Sequence, residues 1–89
     1  MDKNKHEYEM SGSILDEIKD VIGLILDLEP DEVNEETGAD NTEAWDSFAQ
    51  LQILLALEEK YGVEFLPEDF EEMVSVNCVM QVMERKLNR

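Results

Sequence analysis

Apolar residues in this chain recur three and four positions apart, and no stretch alternates long enough to make a convincing strand. That spacing restricts the fold more than any other property. Side chains three or four apart share one face of a helix, whereas a strand needs a period of two. Ile14, Leu15, Ile18, Val21, Ile22 and Ile25 make one such face. They predict a first helix from about Ser13 to Leu26 or Leu28, with Ser13 as N-cap and Pro30 as a stop. A second helix is expected from Asp46 or Ser47 to Tyr61, capped by Asp46 and ended by Gly62. Between Ile53 and Leu57 it is apolar on nearly every side, as suits a helix contacted from several directions. Pro67 fits the first position of a short helix over 67–72, packing Phe70. A last helix starts near Val76 with Ser75 as N-cap, and its stripe is Val76, Val79, Met80, Met83 and Leu87. The fold class expected is all-α, an irregular bundle of three main helices plus one short helix.

Two segments lie outside these helices. Residues 1–12 are polar and without periodicity, and are expected to form a flexible N-terminal tail ahead of one domain over 13–89. Residues 29–45 make an acidic connection of a length uncommon in compact domains. Val33 is expected to tuck into the core midway, and Trp45 to close the far end.

Charge decides which partners are feasible. The 89 residues carry a formal charge of −16, and residues 20–72 hold 17 acids against one base, Lys60. A field of this sign repels nucleic acid and anionic lipid, which both need basic contacts. It attracts basic protein surfaces. No run of 18 apolar residues is present to span a membrane, and the first ten residues lack the apolar stretch of a signal peptide, so a cytoplasmic location is expected. Cys78 is the sole cysteine, which rules out an internal disulfide.

Catalytic readings find little support. His6 lies in the tail and Cys78 on the last helix, with no nucleophile–base pair in view. The four glycines, at 12, 23, 38 and 62, form no phosphate loop. A calcium loop with Gly38 at its sixth position would begin on Val33 and end on Ala44, so both end ligands are missing and no metal site is expected.

What remains is Trp45-Asp46-Ser47-Phe48, where the acidic connection meets the second helix. A serine there ordinarily belongs to a helix cap or first turn. A phosphate on its hydroxyl would meet the positive end of the helix dipole. Ser47 has no evident base to make it a nucleophile, but it can serve as a substrate hydroxyl that another enzyme activates.

The stretch DSFAQLQILLALEEKYGVEF, residues 46–65, resembles the attachment region of acyl carrier proteins. The family pattern is Asp-Ser-Leu, an apolar helix, Leu-Glu-Glu, an aromatic residue and a short apolar segment. Its counterparts are Asp46-Ser47-Phe48, Leu51 to Leu57, Leu57-Glu58-Glu59, Tyr61 and Val63-Glu64-Phe65. The likeness runs over roughly residues 13–87.

The resemblance implies a carrier rather than an enzyme. A phosphopantetheinyl transferase would attach 4'-phosphopantetheine from coenzyme A to Ser47, and the arm would hold acyl cargo as a thioester. Asp46 would help that transferase recognise the site, and Phe48 would anchor the helix start while leaving Ser47 exposed. Glu58, Glu59, Glu64, Glu68 and Asp69 would dock basic patches of acyl-activating and acyl-processing enzymes. Leu51, Leu54, Leu55 and Val76 would line a shelter for the acyl chain. The chain would act as a monomer. Ala49, Gln50 and Gln52 are uncharged where carriers of fatty acid biosynthesis usually place acids, which points to a specialised or polyketide-type pathway. An aminoacyl or peptidyl carrier, and an unmodified acidic adaptor for basic partners, are the alternatives.

Overall fold

A computed structural model describes residues 10–87 of the chain. Among the described residues four helices follow one another: α1 (Met10–Leu26), α2 (Ser47–Tyr61), α3 (Pro67–Glu72) and α4 (Val76–Leu87), with a 3-10 turn at Pro30–Glu32. This is the all-α bundle of three main helices and one short helix that the spacing predicts. The expected tail, with His6, falls mostly on residues 1–9, outside the described residues. Helix α1 starts at Met10, so Ser13 lies within it and not at its N-cap.

Helix α1 packs against both α2 and α4, and the short α3 bridges α2 and α4. The core takes Ile18, Ile22 and Leu26 from α1, Ile53, Leu54 and Leu57 from α2, and Val76, Val79, Val82 and Met83 from α4. Leu87, placed on the α4 stripe by its spacing, is exposed, and Val82 takes a share of that face. Helix α1 ends because Asp27 turns left-handed at φ 63, which lets the Leu28 N–H donate back to the Gly23 carbonyl at 2.8 Å. Tyr61 donates from its hydroxyl to Glu17 and ties the end of α2 to α1. Burial, that bond and the Glu17 charge all push the phenol above its ordinary range.

The long connection is held by more than Val33. Val33 is buried as expected, but the segment also forms an antiparallel bridge, Gly38 to Ser75, at the start of α4. Ala39 N–H donates to the Val74 carbonyl at 2.9 Å. In return, Val76 N–H donates to the Thr37 carbonyl at 2.9 Å and Asn77 N–H to the Glu35 carbonyl at 3.0 Å. Ser75 Oγ accepts from Cys78 N–H at 3.1 Å, as its N-cap position predicts. The first N–H groups of a helix have no partner within it. Here the acidic connection and Ser75 supply three partners, so the connection is built into the last helix. Gly38 permits the approach: a Cβ there would stand 2.4 Å from the Val74 carbonyl oxygen.

Candidate functional site

The entrance to α2 is shaped by Asp46 and Trp45. Asp46 is extended, at φ −101 and ψ −174, and its carboxylate accepts from the Ala49 N–H at 2.9 Å. Its carbonyl accepts from Gln50 N–H at 2.9 Å. The chain therefore turns into helix at Ser47, the first residue of α2, and Ser47 is exposed. The N–H groups of Ser47 and Phe48 precede the first intrahelical bond and point outward with the dipole.

Phe48 does not anchor the helix start: it is 67% exposed. Trp45 has that role. It is 2% exposed, and its indole N–H donates to Gln50 Oε1 at 3.0 Å. Gln50 Nε2 donates in turn to the Phe70 carbonyl at 2.7 Å. One buried amide thus ties the end of the connection, the first turn of α2 and the middle of α3. Gln50 is a packing residue of this site that the apolar spacing of the sequence does not single out. Its register was the available signal, because Gln50, Leu54 and Leu57 fall on one face, and the latter two are core residues.

The residues expected to shelter an acyl chain are divided. Leu54 and Val76 are buried in the core. Leu51 and Leu55 face outward, 42% and 51% exposed, in line with Phe48 along α2. The acids expected to dock partners are divided as well. Glu59, Glu64 and Glu68 are exposed. Glu58 is half-buried and accepts from the Phe65 N–H at 2.9 Å.

Asp69 requires a correction, since it is 6% exposed and occupied inside the fold. It accepts from the Leu66 N–H at 2.8 Å and pairs with Lys86 Nζ at 2.7 Å, with Arg85 at 3.6 Å. Burial pushes its carboxyl up, but the Leu66 and Lys86 hydrogen bonds and the two cations outweigh that and hold it below the usual carboxylate range. Asp69 joins α3 to α4 and is not available to a partner. Glu72 takes Arg85 at 2.5 Å beside it. Among the described residues no group of acids, histidines and cysteines could hold a metal ion, and no helix is long and apolar enough to cross a membrane.

No family model matches the chain. The solution structure of holo acyl carrier protein from Geobacter metallireducens is similar, with a TM-score of 0.73 over 84% of this chain and 86% of that one, at 24% identity. The bundle is therefore an acyl-carrier fold. Sequence relatives take the assignment further. The acyl carrier protein of Wolinella succinogenes is 33% identical over 72 residues, covering 81% of this chain and 95% of its own length. That of Campylobacter fetus is 31% identical over 72 residues, covering 81% and 94%. At this identity over nearly the whole of the relatives, the chain belongs to the acyl carrier protein family.

Proposed function

We propose that this chain receives a 4'-phosphopantetheine arm on Ser47 and presents acyl cargo to partner enzymes. The observation that carries the reading is the exposed hydroxyl at the first position of α2. The residues around it fit the group. The unpaired N–H groups at the helix start suit a phosphodiester, and the dipole favours it by about 0.3–1 kcal/mol. The Asp46 carboxylate is engaged with Ala49 N–H, which fixes the turn that holds Ser47 outward. When bound, the arm supplies a thiol that holds an acyl group as a thioester.

This chain's own part is to keep the attachment point rigid, accessible and surrounded by negative charge. Glu59, Glu64 and Glu68 are exposed and suit docking onto basic patches of a transferase and of acyl-activating or acyl-processing enzymes. Exposed ion pairs are worth little each, roughly 0–1 kcal/mol, which suits partners that take turns. Fewer acids in the first turns of α2 favour a specialised pathway over housekeeping fatty acid synthesis. The test is intact mass after incubation with coenzyme A and a broad-specificity transferase. The chain should gain one phosphopantetheinyl mass, and Ser47→Ala should gain none while keeping its helical circular dichroism. A wild-type mass that does not change contradicts the reading.

A further inference from the structure

The cargo attached at Ser47 must lie either in solvent or between the helices, and the Gln50 amide stands between those two places. Gln50 is three residues beyond Ser47, so the two side chains are neighbours on α2. Beyond it on the inward face come Leu54 and Leu57, with Val76 across from them in the same core. The amide is buried, takes the Trp45 indole N–H on one side and donates to the Phe70 carbonyl on the other. It therefore closes the seam between α2 and α3 at the end nearest Ser47.

We propose that the Gln50 side chain, bonded to Trp45 and to the Phe70 carbonyl across this seam, keeps cargo attached at Ser47 out of the helical interior. The chain then carries short or polar acyl groups, held in solvent, in preference to long alkyl chains sheltered in the bundle. The inference rests on the Ser47 reading above. An alkyl chain entering the seam must part Gln50 from Phe70. It leaves the Gln50 amide N–H group facing methylene groups without a partner, while the Phe70 carbonyl keeps the Met73 N–H at 3.2 Å. A buried donor without a partner disfavours that state by about tenfold or more. An apolar side chain at position 50 removes the barrier, because the core beyond it is wholly apolar. The exposure of Leu51 and Leu55 agrees with this, since two of the four residues expected to shelter a chain line no interior.

The test uses the full chain, loaded by a broad-specificity transferase from acetyl- or octanoyl-coenzyme A, with intact mass read for each load. Hydroxylamine cleavage of both thioesters is timed, and the emission of Trp45, the sole tryptophan, is recorded. In the wild type the two thioesters should be cleaved at rates within about twofold, with the same Trp45 emission for both. In Gln50→Leu the octanoyl thioester should be cleaved about tenfold more slowly than the acetyl one. Gln50→Met, closer in length to glutamine, should behave likewise and guards against a leucine variant that fails to fold. A wild-type octanoyl thioester protected by about tenfold overturns the proposal. So do equal cleavage rates in a folded Gln50 variant. A wild type that takes up no arm in the mass measurement overturns the Ser47 reading itself, and the two failures are thereby told apart.

Discussion

Replacing Gly38 by alanine should cost this fold far more than a surface methyl group normally does. The added Cβ would lie 2.4 Å from the Val74 carbonyl oxygen, 2.8 Å from Ser75 Cβ and 2.9 Å from Ser75 Cα. All three belong to the start of α4 or the turn before it, and two are backbone atoms, so no side-chain rotation relieves the clash. The connection must move away from α4. That movement breaks or stretches the bonds from Ala39, Val76 and Asn77 that stitch the two together. At about 0.5–1.5 kcal/mol each, their loss amounts to roughly 1.5–4.5 kcal/mol. Alanine returns about 0.4–1 kcal/mol by restricting the unfolded chain. The net destabilisation is roughly 0.5–4 kcal/mol, which lowers Tm by roughly 2–32 °C in a domain of this size.

Thermal unfolding followed by circular dichroism measures the effect, and Gly62→Ala supplies the comparison. Gly62 is left-handed at φ 66 but has nothing within 4 Å of a Cβ, so its variant reports strain without a clash. It should lose about 1–2 kcal/mol. A Gly38→Ala midpoint that stays level or rises refutes the argument that the connection is built into α4.

Asp27→Gly should stabilise the chain by about 1 kcal/mol in urea unfolding, because it removes a left-handed side chain and a negative charge from the end of α1; a loss of stability counts against the cap. The Asp69 carboxyl is held below its ordinary 3.8, so its contribution is complete above the unfolded value and is lost as pH falls through the lowered one. Urea unfolding between pH 6 and pH 3 should therefore show wild-type stability declining toward that of Asp69→Asn at the acid end, and parallel curves contradict the ion pair. Self-repulsion among the acids of residues 20–72 should ease as salt shortens the Debye length to about 8 Å near 0.15 M. Tm should accordingly rise between low and moderate salt, and a flat response contradicts it.

Local chemistry made most of the fold legible. Asp46, Gly62, Pro67 and Ser75 mark helix ends through backbone rules that act within a few residues, and each of those ends lies where the rule puts it. What remained hidden depends on contacts between distant segments. The bridge from Gly38 to Ser75 is made by backbone groups, which leave no side-chain pattern. Phe48 and Trp45 are both aromatic and both flank Ser47, so the sequence alone could not say which of them the extended Asp46 turns inward. Helix α2 is apolar nearly all round, and spacing does not reveal that Leu51 and Leu55 lie on the side without a neighbour. Asp69 was concealed by abundance: the sequence has 23 acids, and the one buried among the described residues is told apart only by Lys86 and Leu66. Gln50 was visible as an uncharged residue, but its bonds to Trp45 and Phe70 needed α3 in place.

Tandem mass spectrometry of the proteolytic peptide spanning Trp45 to Phe48, taken from protein incubated with transferase and coenzyme A, tests the account most directly. The phosphopantetheinyl group should be found on Ser47 and on no other residue. A group located on a different serine or on Thr42, or a peptide that stays unmodified while the transferase labels a control carrier, contradicts it.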